Sequence, residues 1–549
     1  MLGSDSVPPL AYCSSPHSGG RRDTNMLPPV DTSPIQNSFS GDSPLSQSQS
    51  AGGRERDAPP RTMARDRLPY DGGQTALLDE GSDGFGPSPS MPSYSEDSDR
   101  GEVIASDLGP TLLPSWSFQD APNPPMTPGP LGPQEACLIR CFAQELATTF
   151  DTTDRTGHFA THLPMRALRN SLVLNAICGI SAQYLLRMST ESSSPGMVEF
   201  QRTKLPHLTE ESVMQYQSTC INLLIDASAN PEEHADGDIL SAITILRFHE
   251  QNDVLMTGSD FEVFQRAVQH NFETQFAQGR GLGQALPSLF TPLPIFQPNH
   301  LSANIAAYLV ALRMEIWAVL LYQRPIRLPL PSFKDCRHVH DGEIDDDYLW
   351  TRRVLVWCAH VLKLHFGSDG FDVSDNGYAS ASELWGALKA FEFDWDTRPP
   401  SCFQPLYSRQ NAPQQGRYFP ELWLANPCQV MALQHIEFGR MMLANHEAQL
   451  QNRRLGGGEL ASQASEALFL HSMRTICGLA ACHSDRHEAL TAAAVAISMC
   501  GKYVRDAGER SALMSILHKL RTDFAWNISH AVNALNGGAG DATQGDLRT

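Results

Sequence analysis

Lysine is missing from the start of this chain; the first is Lys204. Cysteine is almost missing from the same stretch, with Cys13 alone before Cys137. Positive charge is short throughout: 41 Lys and Arg against 61 Asp and Glu leave a formal net charge of −20 over 549 residues. Each shortage excludes something. A chain that grips nucleic acid over its whole surface is basic, because neutralised phosphates supply most non-specific affinity. This one is repelled by DNA on average, so DNA contact would need a local patch or a partner. The run Arg54 to Arg67 is a poor patch, interleaved with Glu55, Asp57 and Asp66 and without an aromatic residue. A binuclear zinc cluster that holds a helix to the major groove needs six cysteines within about thirty residues, and no such run occurs.

Catalytic templates are also missing. No G-x-x-x-x-G-K-[ST], H-E-x-x-H or G-x-S-x-G is found. His249-Glu250 and His446-Glu447 lack the second His, and the glycines at 279, 281 and 283 follow no strand. No catalytic, cofactor-binding or metal-binding residue is therefore expected. An uncharged apolar run long enough to span a bilayer is missing too; Ile305 to Tyr322 comes nearest and is interrupted by Arg313 and Glu315, as in a buried helix. The opening MLGSDSVPPLAY lacks the basic start and apolar core of a signal peptide. An intracellular chain with no membrane partner, its 12 cysteines held as thiols, is the expectation.

Three side-chain groups invite a metal reading. Cys477, Cys482, His483 and His487 lie close, but zinc sites want a shorter Cys gap and a paired His. Cys477 falls in the apolar pattern of Met473, Ile476, Leu479 and Ala480, so core packing with surface His explains the group better. His338, His340, Asp341, Glu343, Asp345, Asp346 and Asp347 read as an acidic loop capping the helix at Tyr348. Cys137 and Cys141 share one helix face without a third ligand nearby.

What is present falls into three parts. Residues 1–133 are rich in Ser, Pro, Gly and Asp and cannot bury enough apolar surface to offset chain entropy, which predicts a disordered tail. Ser33-Pro34, Ser43-Pro44 and Ser88-Pro89 have the form of phosphorylation sites. Within the tail, 94–120 mixes Glu96, Asp97, Asp99, Glu102, Asp107 and Asp120 with Leu108, Leu112, Leu113, Trp116 and Phe118. That mixture is a compositional signature of activation segments; a linker that docks on the body is the other reading. From 134 to 535 apolar residues recur at helical spacing. Helices are predicted near 211–227, 237–252, 258–278, 301–324, 347–366, 379–392, 427–450, 464–483, 487–505 and 508–535, with Pro- and Gly-rich breaks and no fixed-period repeat. The fold expected is an all-α, large multi-helix regulatory domain of stacked helical pairs, with a second disordered tail at 536–549.

Five segments in order carry a family resemblance. They are FDTTDRTGHFATHLPMRALRNSLVLNAICGISAQYL, with its aspartate, His-Phe and Pro-x-Arg-Ala-Leu; CINLLIDASANPEEHADGDILSAITILRFHE; YLVALRMEIWAVLLYQRPIRL; Trp395 to Arg440, with Arg398-Pro399-Pro400 and Phe419-Pro420-Glu421; and AAAVAISMCGKY at 492–503. Together, over about 134–530, the chain resembles the fungal-specific transcription factor domain of zinc-cluster regulators, in particular the ARCA-like subfamily. The resemblance implies a helical regulatory domain, in the nucleus, controlling metabolic or biosynthetic genes, with no catalytic residues. It implies coactivators or transcriptional machinery as partners, and leaves open a small-molecule effector, a homodimer and DNA reached through a DNA-bound partner. DNA binding and zinc belong to the family's N-terminal cluster, which these residues do not contain. The alternative reading is a helical interaction or scaffold protein with no transcriptional role. Arg313 and Glu315, on an apolar helix, need partners; an acid from a neighbouring helix is expected opposite Arg313.

Overall fold

Apolar residues on every side of one helix make it the natural centre of the body. That helix is α8. A computed structural model describes residues 131–191, 197–229, 236–257, 262–279, 286–291, 300–337, 346–367, 378, 380–455 and 458–545. In chain order the helices are α1 (Pro133–Cys141), α2 (Ala147–Phe150), α3 (Leu163–Ala167), α4 (Ser171–Glu191), α5 (Glu210–Ala229), α6 (Asp236–Thr257), α7 (Val263–Ala277), α8 (His300–Tyr322), α9 (Phe333–Arg337), α10 (Asp347–Phe366), α11 (Ala381–Thr397), α12 (Pro427–Leu455), α13 (Gly458–Cys482), α14 (His487–Cys500), α15 (Ala507–Phe524) and α16 (Ser529–Gly545). Two small antiparallel hairpins interrupt them: β1 (Glu199–Phe200) with β2 (Thr203–Lys204), and β3 (Tyr407–Arg409) with β4 (Glu421–Trp423). The all-α expectation holds.

The helices pack mainly on their neighbours in space. α4 lies on α5, α10 on α12, α12 on α13 and α13 on α14, while α6 lies on both α4 and α8. One large apolar core joins most helices; a smaller one groups Cys137, Leu138 and Cys141 with Cys178, Leu185 and Leu205. Ala303–Tyr322 and Ser171–Ser189 are long and apolar enough to cross a membrane by composition, but 89% and 61% of those windows lie inside the body. Ala303–Tyr322 is thus the buried helix the sequence suggested.

Several helix starts have readable causes. Asp346 caps α10 by accepting the amides of Tyr348 at 3.0 Å and Leu349 at 3.2 Å, as anticipated. Ser380 accepts from Glu383 N at the start of α11. Asp506 does the same with Glu509 N for α15, and Glu509 then holds Arg474 of α13 through two bonds of 2.7 and 2.9 Å. α7 is met differently: Glu250 of α6 accepts the amides of Val263 and Phe264 at 2.6 and 3.1 Å. Ser259 and Asp260, expected to open that helix, lie outside the described residues.

Two boundaries depart from the sequence reading. The stretch 508–535, expected as one helix, is two. Ala525 takes a left-handed φ of 52° and closes α15. Trp526 then turns into the core, its ring centroid 5.2 Å from that of Phe248. α16 also runs to Gly545, past the domain boundary placed at 535. The tail 1–133, with segment 94–120, lies outside the described residues apart from 131–133.

Candidate functional site

The connector between α2 and α4, the polar part of the first resembling segment, is held by hydrogen bonds from nearly all of its buried polar side chains, Thr153 Oγ1 excepted. Asp151 accepts the amides of Phe159 and Ala160 at 2.8 and 2.7 Å. Burial pushes its carboxyl up to about 8; Asp154 adds to the rise, and the two amides pull against it. Asp154 accepts from Thr156 N, Thr156 Oγ1 and His158 N at 2.7–3.1 Å. His158 Nε2 lies 3.1 Å from Ser241 Oγ on α6, its pKa lowered to about 4 chiefly by burial. Arg166 makes two contacts of 2.5 Å with Asp238 of α6, which also accepts from Asn170 at 2.9 Å. Asp238 therefore anchors the connector to the first turn of α6. Phe150 and Phe159 stack at 4.9 Å, and Phe150 lies 4.8 Å from Phe248. Each of these residues is spent on structure.

The crossing of α8, α12 and α14 is different. Arg313 is fully buried. Its Nη2 donates to the Thr149 carbonyl at 2.8 Å, and its guanidinium sits 5.3 Å from the centre of the Trp317 ring. Burial lowers its pKa to about 10, and the charge of Glu488, in the first turn of α14, raises it. The expected ion pair is not made: the direct bond goes to a carbonyl, and Glu488 of the neighbouring helix acts on Arg313 only through space. Its own carboxyl is raised by burial and eased by Arg313. Nε and Nη1 of Arg313, Nε2 of His435 and Nδ1 of His487 have no protein partner. His487 packs edge-on against Trp526 at 4.6 Å, and burial drives its pKa down to about 3. Glu315 differs again, held through Arg324 at 2.6 and 2.8 Å and the Arg327 amide at 2.8 Å.

Beside this crossing a cleft of about 80 Å³ opens between α6, α8, α14 and the start of α16. Gln251, Trp317, Leu321, Thr491, Val495 and Trp526 are among its walls. Sequence reasoning missed it. Its polar residues come from four separate elements, and the predicted continuous helix hid the break at Ala525. One signal was there: Asn527, whose Oδ1 accepts the Ser529 amide at 2.9 Å, is a helix-start residue in the middle of that predicted helix.

The metal candidates do not converge. Cys477 is fully buried, with Cys500 the thiol whose charge it feels. His483 Nε2 lies 3.2 Å from Leu422 O on β4, while His487 points among aromatic rings. Cys137 and Cys141 sit in the smaller core with thiols raised by burial. No group of three or more metal-binding side chains forms among the described residues. Residues 338–345 of the acidic loop lie outside them, as do Gly281 and Gly283.

Residues 137–291 match the fungal specific transcription factor domain. The match takes in the first two resembling segments, the connector with its Asp238 anchor included, and supports a role in transcriptional regulation. It is to the general domain and does not single out the ARCA-like subfamily. The segments at 308–328, 395–440 and 492–503 lie beyond it. Neither a curated protein nor a solved structure matches the chain.

Proposed function

We propose that the chain is a nuclear transcriptional regulator of metabolic or biosynthetic genes that catalyses no reaction itself. The family match at 137–291 is the observation that carries the reading. In this mechanism the helical body is the regulatory part and the acidic-hydrophobic segment 94–120 recruits coactivators. DNA is reached through a DNA-bound partner, because a net charge of −20 opposes direct binding by the chain as a whole. The α8–α14 cleft is the place where a small-molecule effector would act on the body.

The test is a reporter assay with all 549 residues fused to a heterologous DNA-binding domain. Activation is expected, and it should fall at least several-fold when Leu112, Leu113, Trp116 and Phe118 are all replaced by alanine. A fusion that accumulates in the nucleus and neither activates nor represses would remove the regulator reading and leave the scaffold one.

A further inference from the structure

α5 buries one face and shows another. Val213, Cys220, Leu224 and Ala227 are buried where the helix lies on α4. About a third of the way round the helix, Met214, Ile221 and Ile225 stand 58%, 36% and 62% exposed. Ser218, in the same stripe, is exposed as well. Single exposed apolar residues are ordinary; these recur from 214 to 225 at alternating steps of four and three, the seam of a helix that packs on another helix. No charged residue stands between Glu211 and Asp226, although the whole chain carries −20. Gln215, Thr219 and Asn222, exposed beside the seam, are polar and uncharged.

The seam reads the same in both directions. An antiparallel second copy sets Met214 against Ile225 and Ser218 against Ile221, and a two-fold axis repeats both pairs. Ser218 is small and leaves room for the isoleucine opposite. A parallel copy would bring the two Glu211 side chains together at one end and align the helix dipoles. In the antiparallel arrangement the Glu211 positions lie about 25 Å apart, beyond the Debye length of about 8 Å at physiological salt. Two chains of −20 repel each other, so a self-contact has to fall on a neutral face such as this one. One helix stripe covers less than the about 800 Å² per partner of a standard interface, which makes the contact a weak one.

We propose that the exposed face of α5 pairs with the same face of a second copy of this chain, antiparallel and two-fold symmetric, in a weak reversible dimer. The pairing does not rest on the regulator reading. The reporter assay reads transcription and the experiment below reads mass, so the two can fail separately.

The experiment is sedimentation velocity on the full-length chain from about 1 to 200 µM. A dimer fraction that rises with concentration is expected. Ser218→Lys and Ile221→Glu each place a charge in the seam opposite an uncharged residue, and each should weaken dimerisation at least tenfold. The denaturation midpoint of each should stay close to the parent's, since both positions are exposed. Mixed in equal amounts, the two variants should dimerise again. Antiparallel pairing sets the introduced lysine against the introduced glutamate once per dimer and leaves the other Ser218–Ile221 pair as in the parent. Parallel pairing matches each position with itself and would give no rescue. A chain that stays monomeric throughout, a dimer that both charges leave intact, or a mixture that fails to recover would overturn the proposal.

Discussion

The α2–α4 connector and the α8–α14 crossing are both buried and both rich in polar side chains, yet they are finished differently. In the connector, Asp151, Asp154, His158 and Arg166 all have protein partners, and Thr153 Oγ1 alone of its buried side-chain polar atoms among the described residues has none. At the crossing, Arg313, His435, His487, Trp317 and Gln251 all keep atoms without a protein partner. A buried polar group left unmade costs about 1–3 kcal/mol. A satisfied network of that kind is explained by stability alone; an unsatisfied one carries a cost that the packing around it must offset. The difference teaches that a count of polar residues identifies neither region, whereas the fate of each donor and acceptor separates them.

The comparison breaks most sharply in the connector. Asp154→Ala should cost about 2–3 kcal/mol in chemical denaturation, because it strands the buried His158 amide and frees Thr156. A cost near zero would mean that the connector is no more structural than the crossing.

Titration comes next: buried histidines in both regions respond to acid alike, and Asp151 of the connector responds to base. His487 at about 3 and His249 at about 3, with His158 and His435 at about 4, are neutral when folded. The unfolded chain protonates each near its ordinary value of about 6.5, so it binds more protons and stability falls as pH drops from about 6.5 towards 4. Each histidine contributes a slope of about 1 kcal/mol per pH unit. His487→Phe should remove one such share, read as a shallower fall of denaturation midpoint with acid. Asp151 works the other way: its carboxyl, raised to about 8, contributes stability that is full below about 4 and lost as pH rises through about 8. Asp151→Asn should flatten that arm.

The smallest effect belongs to the charges of the crossing. Replacing a buried pair by neutral groups of similar volume is often close to neutral. Arg313→Met combined with Glu488→Gln should stay within about 1 kcal/mol of the parent in denaturant unfolding. A loss as large as that of Asp154→Ala would show that the bond of Arg313 to the Thr149 carbonyl is as structural as those of the connector.

Much of this was legible in the sequence. The helices were, because apolar spacing and capping residues such as Asp346 act locally. The connector's Asp154, His158 and Arg166 could be named, and so could the need of Arg313 and Glu315 for partners. Who those partners are was not, since a backbone carbonyl such as that of Thr149 has no sequence signature. Glu315 was nearer to hand, its partner Arg324 lying one loop away. The cleft was hidden because Gln251, Trp317, Thr491 and Asn527 meet only through packing, and because Ala525, an ordinary helix former, sits in a left-handed turn.

The central claim is that the connector holds the body through the bonds of its buried carboxylates, while the charges of the crossing add little. Denaturant unfolding of Asp154→Ala beside Arg313→Met combined with Glu488→Gln tests it most directly. The account predicts a loss of about 2–3 kcal/mol in the first and a change within about 1 kcal/mol in the second. Equal losses in the two would contradict it.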